Sequence, residues 1–175
     1  MKTPDIKHNP HPRMRYEVTL TIEDAPGPFE TVNGNAYYEV TNKECSPEDP
    51  ISGTWRHRPT ASIPFTFARI ADSTYTGTVY FDLLQDEDYF GLGVCHWELR
   101  TAGASLKADG TGFAPGISAA KLVMGQPGTT YFAKEIYQRP TVKGLTTAGV
   151  PLSDWIAKQP GKFFSATLIA TERLE

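Results

Sequence analysis

The chain has only two cysteines, no apolar run approaching the length of a membrane span, no basic excess and none of the short motifs that mark common enzymes. Each lack excludes something. A helix that crosses a bilayer needs about 18–20 consecutive apolar residues, so no such span is expected. Nucleic-acid binding rests on neutralising phosphates with Lys and Arg, and here the formal net charge is −3. That charge is uneven. Residues 1–99 carry 15 acids against 8 Lys or Arg, whereas residues 100–175 carry 5 against 9. The acidic first half argues against a nucleic-acid partner. There is no G-x-S-x-G elbow, no phosphate-binding loop and no H-E-x-x-H helix. Gly110-Thr111-Gly112 lacks the rest of a phosphate motif and reads as a turn. The expectation is a protein that is not an enzyme and carries no cofactor and no metal.

What is present is a strand-forming pattern. With 175 residues and 39% hydrophobic content, the chain is long enough for one domain with a real core. Tyr16 to Ile22 alternates, with Tyr16, Val18, Leu20 and Ile22 on one face. Asn33-Gly34 reads as a turn, and Ala36, Tyr38 and Val40 share an inner face after it. Ile63 to Ile70 predicts a third strand and Thr74 to Leu84 a fourth. The fourth reads as one arm of a hairpin whose second arm is Val94 to Arg100. Ser118 to Met124 predicts a short helix stopped by Gly125, and Thr129 to Arg139 a long strand. Ser153 caps a turn through Trp155 and Ile156, and Phe163 to Thr171 is the final strand. The pattern predicts an all-β fold, an antiparallel sandwich or barrel of seven or eight strands with one or two short helices. Residues 1–14, rich in Pro and His, read as a flexible tail, and residues 15–173 as a single β domain. Leu174-Glu175 reads as a cloning remnant and the chain as one whose export signal was removed; the alternative is a native cytosolic ending.

Two constellations carry the functional argument. Cys45 and Cys95 are either a disulfide, which implies an oxidising compartment, or two separate buried thiols. If bonded, they would bring Glu44, Glu48 and Asp49 towards the acidic stretch before Cys95. That stretch holds Asp82, Asp86, Glu87 and Asp88, followed by Tyr89 and Phe90. It reads as a solvated hairpin tip or as a recognition knob, in which aromatics beside acids supply a partner-binding surface. Its spacing does not match an EF-hand loop. His8 and His11 lie in the tail, His57 between two arginines, and His96 opposite Cys95 and Trp97 by strand alternation. His8 and His11 could as a pair capture adventitious metal, whereas no second ligand stands near His96. Trp55, Trp97 and Trp155 leave open a carbohydrate-binding module, and an unrecognised hydrolase is a third reading.

The stretches YEVTLTIEDAPGPF (Tyr16 to Phe29), TYTGTVYFD (Thr74 to Asp82) and DEDYFGLGVCHW (Asp86 to Trp97) resemble segments of periplasmic immunity proteins that neutralise phospholipase effectors of type VI secretion systems. The resemblance implies a cognate toxin as partner and a periplasmic location. It also implies a frequent lipid anchor through an N-terminal Cys, which this chain lacks.

Overall fold

The computed structural model describes residues 5–48, 58–138 and 144–173. Two largely antiparallel sheets pack face to face as a sandwich without closing into a barrel. The first has the order β4-β5-β1-β11-β9. Its strands are β4 (Ala68–Ala71), β5 (Thr74–Tyr80), β1 (Arg15–Glu23), β11 (Phe163–Arg173) and β9 (Gly128–Ala133). The second has the order β10-β7-β6-β2-β3, with β8 (Gly116–Ser118) also on β6. Here β10 is Thr146–Thr147, β7 Thr111–Phe113, β6 Trp97–Ala108, β2 Thr31–Val40 and β3 Thr60–Thr66. Three short helices, α1 (Ala119–Val123), α2 (Lys134–Gln138) and α3 (Asp154–Ala157), complete the described residues, with a 3-10 turn at Lys43–Cys45.

The period-2 pattern places the core. Tyr16, Val18, Leu20 and Ile22 of β1 are buried, as are Phe164, Ala166, Leu168 and Ala170 of β11, in register with it. From the other sheet come Ala36, Tyr38, Leu99, Ala102, Ala104 and Leu106. At one end the rings of Phe113, Phe132 and Phe164 meet with centroids 5.2 to 5.3 Å apart, within the range in which aromatic pairs attract. The outer face of the first sheet is rich in threonine, a β-branched residue that suits a half-exposed pleat. Thr74, Thr21, Thr167 and Thr129 lie side by side across four strands.

Four sequence expectations are corrected. Asn33-Gly34 is not a turn but lies within β2. Gly34 faces the ring of Phe65, which packs over Gly34 of one sheet and Gly77 of the other, where any Cβ would collide with it. Ile63 to Ile70 is not one strand. The chain leaves the second sheet at Thr66 and joins the first at Ala68, with Phe67 buried at the corner. Thr129 to Arg139 stops extending at Ala133. The helix-forming run Lys134–Gln138 then turns Tyr137 back, so that its hydroxyl donates to the Pro28 carbonyl at 2.5 Å and its ring meets Phe29. Lastly, β5 and β6 belong to different sheets. The segment between them is therefore a crossover and not a hairpin tip.

The helix signals hold. Ser118 accepts from the Lys121 N–H and Ser153 from the Ile156 N–H. Gly125 stops α1 at φ +69°. The turn between β6 and β7 is formed by Asp109 and Gly110, both at positive φ, so of the expected Gly110-Thr111-Gly112 turn only Gly110 belongs to it and Thr111 and Gly112 lie in β7.

Candidate functional site: a disulfide-stapled crossover

The crossover of residues 81–96 is tied down along its length. Asp82 accepts from the backbone N–H of Arg13 and of Met14, each at 3.0 Å. Residues 7–9, placed in a tail by the sequence pattern, run beside it. Asn9 N–H donates to the Leu83 carbonyl, Gln85 N–H donates to the Lys7 carbonyl, and His8 bridges Leu84. The Lys7 ammonium contacts Glu87 at 2.9 Å, and that hydrogen bond raises its pKa above the ordinary value.

Cys45 and Cys95 are bonded, with their Cα atoms 5.3 Å apart. The bond holds the turn after β2 against the end of the crossover. Asn42 strengthens the seam by donating to the Val94 carbonyl at 2.7 Å and accepting from the His96 N–H at 2.8 Å. Asp86 accepts from the Trp97 N–H at 2.8 Å and lies 3.0 Å from His96 Nδ1. Glu87 and Cys95 pair as a bridge. Val40, Cys45 and Cys95 form a small core of their own, on which Tyr89, Phe90 and Trp97 pack.

This geometry redistributes the expected contact residues. Asp86 is exposed, yet its carboxylate is committed to the β6 end, and Glu87 is paired with Lys7. Asp88 is exposed at the bend, where it accepts from the Gly91 N–H at 2.6 Å. Tyr89 and Phe90 are half-buried against the disulfide, and the Tyr89 hydroxyl donates to the Gln85 carbonyl. The aromatics therefore brace the loop from within. The exposed apolar contacts are Leu92 and Val94, 54% and 45% exposed, which the sequence reading passed over. A signal was available in Gly91-Leu92-Gly93-Val94. The flanking glycines adopt φ of +77° and +114°, which bulges the chain outward. Glu44 and Glu48 are exposed on the turn joined through the disulfide; Asp49 lies outside the described residues.

The knob therefore exposes four carboxylates, Glu44, Glu48, Asp86 and Asp88, and the ammonium of Lys43, together with the aliphatic Leu92 and Val94. No cluster of three His, Cys, Asp or Glu groups among the described residues could hold a metal ion. Trp55 and His57 lie outside the described residues. Trp97 is half-buried in the knob, and Trp155 is exposed elsewhere. No protein-family model, curated protein or solved structure matches the chain. The disulfide fits an oxidising compartment, and no described helix is long and apolar enough to cross a membrane.

Proposed function

We propose that this chain is a periplasmic immunity protein that binds and neutralises a secreted antibacterial effector, a phospholipase by the resemblance of its segments. The contact surface is the knob stapled by Cys45–Cys95. The observation that carries this reading is a loop fixed by a disulfide and backbone-directed carboxylates, with acids and aliphatics left outside. Such a loop is already ordered, so binding loses little conformational entropy. Its negative field speeds encounter with a basic cleft, and a site that holds phosphate head groups is basic. Leu92 and Val94 then supply desolvated area, each worth about 1 kcal/mol if fully covered, since about half of each is already buried.

The test starts with capture of the partner from secreted and periplasmic fractions and its identification by mass spectrometry. The variant Asp88→Ser/Leu92→Ser/Val94→Ser leaves the structural Asp86 and Glu87 intact and keeps a side-chain oxygen at position 88 to accept from the Gly91 N–H. It should bind the captured effector at least tenfold more weakly, chiefly through faster dissociation, and should fail to protect cells expressing that effector. A partner that is no toxin, or a variant that protects as well as the native chain, removes the proposal.

A further inference from the structure

A second surface lies at the opposite end of the first sheet. The knob is fastened near Arg15 through Asp82, whereas Phe163 begins β11 beside the Glu23 end of β1. In α3, Ile156 is buried and anchors the turn, so the neighbouring Trp155 is carried outward and is 65% exposed. Its ring rests edge-on against Phe163, with centroids 5.6 Å apart and planes at 73°. Gln159 Nε2 donates to the Trp155 carbonyl at 3.1 Å and steadies the turn. The indole borders a groove of about 660 Å³ rimmed by Lys134, Glu135, Gln138 and Lys162. None of these four side chains has a hydrogen-bond or ion-pair partner among the described residues.

We propose that this groove binds one pyranose ring of a polysaccharide, stacked on Trp155. A pyranose has a face of C–H bonds and an edge of hydroxyls. The C–H face suits the electron-rich face of the indole, and the hydroxyl edge needs mixed donors and acceptors in reach, which the amide, ammonium and carboxylate groups of the rim provide. A dry apolar partner would leave those rim groups unpaired.

The sheet extends the site. Beyond Phe163 on the same outward face of β11 come Ser165 and Thr167, and the threonine row across β9, β11, β1 and β5 starts there. Thr129 and Thr167 already share a hydrogen bond of 2.9 Å. Hydroxyls recur across the strands about every 4.8 Å, with no charged side chain in that row. A polyol chain leaving the groove along this face first meets Ser165 with Tyr131 and the exposed Glu23 carboxylate beside it, then the uncharged threonine row, so hydroxyls find donors and acceptors throughout.

The experiment measures retention of the whole protein on microcrystalline cellulose, chitin and peptidoglycan sacculi, three polymers of pyranose rings. The native chain should bind at least one of them. Trp155→Ala should weaken that binding tenfold or more with an unchanged thermal transition, because the indole is mostly exposed. The double variant Thr21→Val/Thr167→Val should weaken it severalfold. Asp88→Ser/Leu92→Ser/Val94→Ser should bind the polymer as the native chain does, which separates this site from the knob. Failure to bind any of the three polymers, undiminished binding by Trp155→Ala, or a comparable loss in the knob variant overturns the assignment. Undiminished binding by the threonine variant overturns the extension along the sheet.

Discussion

Removing the disulfide, as Cys45→Ser/Cys95→Ser, should destabilise the protein in a way that locates the loss. The two cysteines are 50 residues apart in sequence. Chain entropy alone assigns such a closure about 4 kcal/mol, within the usual range of roughly 2–4. A domain of this size shifts its melting temperature by about 2–4 °C per kcal/mol, so the transition should fall by roughly 10 °C. The fold itself should persist, because the sandwich core does not include the cysteines; they belong to a separate cluster with Val40. The loop keeps Asp86 on the Trp97 N–H and Asn42 on Val94 and His96. Thermal melts would measure the shift. Hydrogen exchange should show faster exchange in residues 42–48 and 85–96 and near-native protection in β1 and β11. A fall below about 2 °C, or loss of protection across β1 and β11 at temperatures well below the transition, would refute this division into a stapled knob on an independent sandwich.

Two further outcomes follow from the core. Gly34→Ala should cost about 1–3 kcal/mol in urea denaturation, since the new methyl would collide with Phe65 and overpacking forces the ring or backbone to move; a neutral result would mean that Phe65 moves aside freely. Burial, reinforced by the nearby Asp82 carboxylate, raises the pKa of the Tyr38 hydroxyl, which donates to the Tyr80 carbonyl at 2.5 Å. The unfolded chain releases that proton near its ordinary value of 10.0, while the folded chain holds it. Stability should therefore be unaffected by this group below pH 10 and fall as pH rises beyond it, by up to about 1.4 kcal/mol per pH unit. Denaturation midpoints for the native chain and Tyr38→Phe should converge as pH rises above 10; parallel curves would exclude Tyr38 as the source.

Strand existence was legible wherever one face is buried. Tyr16 to Ile22 and Phe163 to Thr171 alternate because each sheet shows one side to the core, and Ser118 and Ser153 marked helix starts through the N–H groups that they accept from. Partnership was not legible. The alternation of Thr74 to Tyr80 and of Trp97 to Ala108 is the same whether they pair with each other or lie in opposite sheets. Gly34 misled because Asn-Gly favours turns, and only the ring of Phe65, from 31 residues along the chain, explains a glycine within a strand. At the knob, composition singled out Asp86 to Phe90 but did not reveal which of their polar groups are engaged. Asp86, Glu87, Asp88 and Tyr89 are all bonded to their own chain, and the unengaged outward positions pass to Leu92 and Val94.

Among the described residues the sheet orders leave β3, β4, β9 and β10 at their ends, with the three-residue β8 beside β6, and each margin is blunted against strand addition. Pro64 in β3 has no N–H to offer. β4 has four residues and an irregular register with β5. β9 has part of its free side covered, with Tyr131 and Val150 exchanging both backbone hydrogen bonds. β10 is two residues long. Margins of this kind give an incoming extended peptide little to zip onto, and they also keep copies of the chain from polymerising edge to edge. A partner would therefore have to be met by side chains on loops and faces, where a single substitution leaves every ladder bond in place.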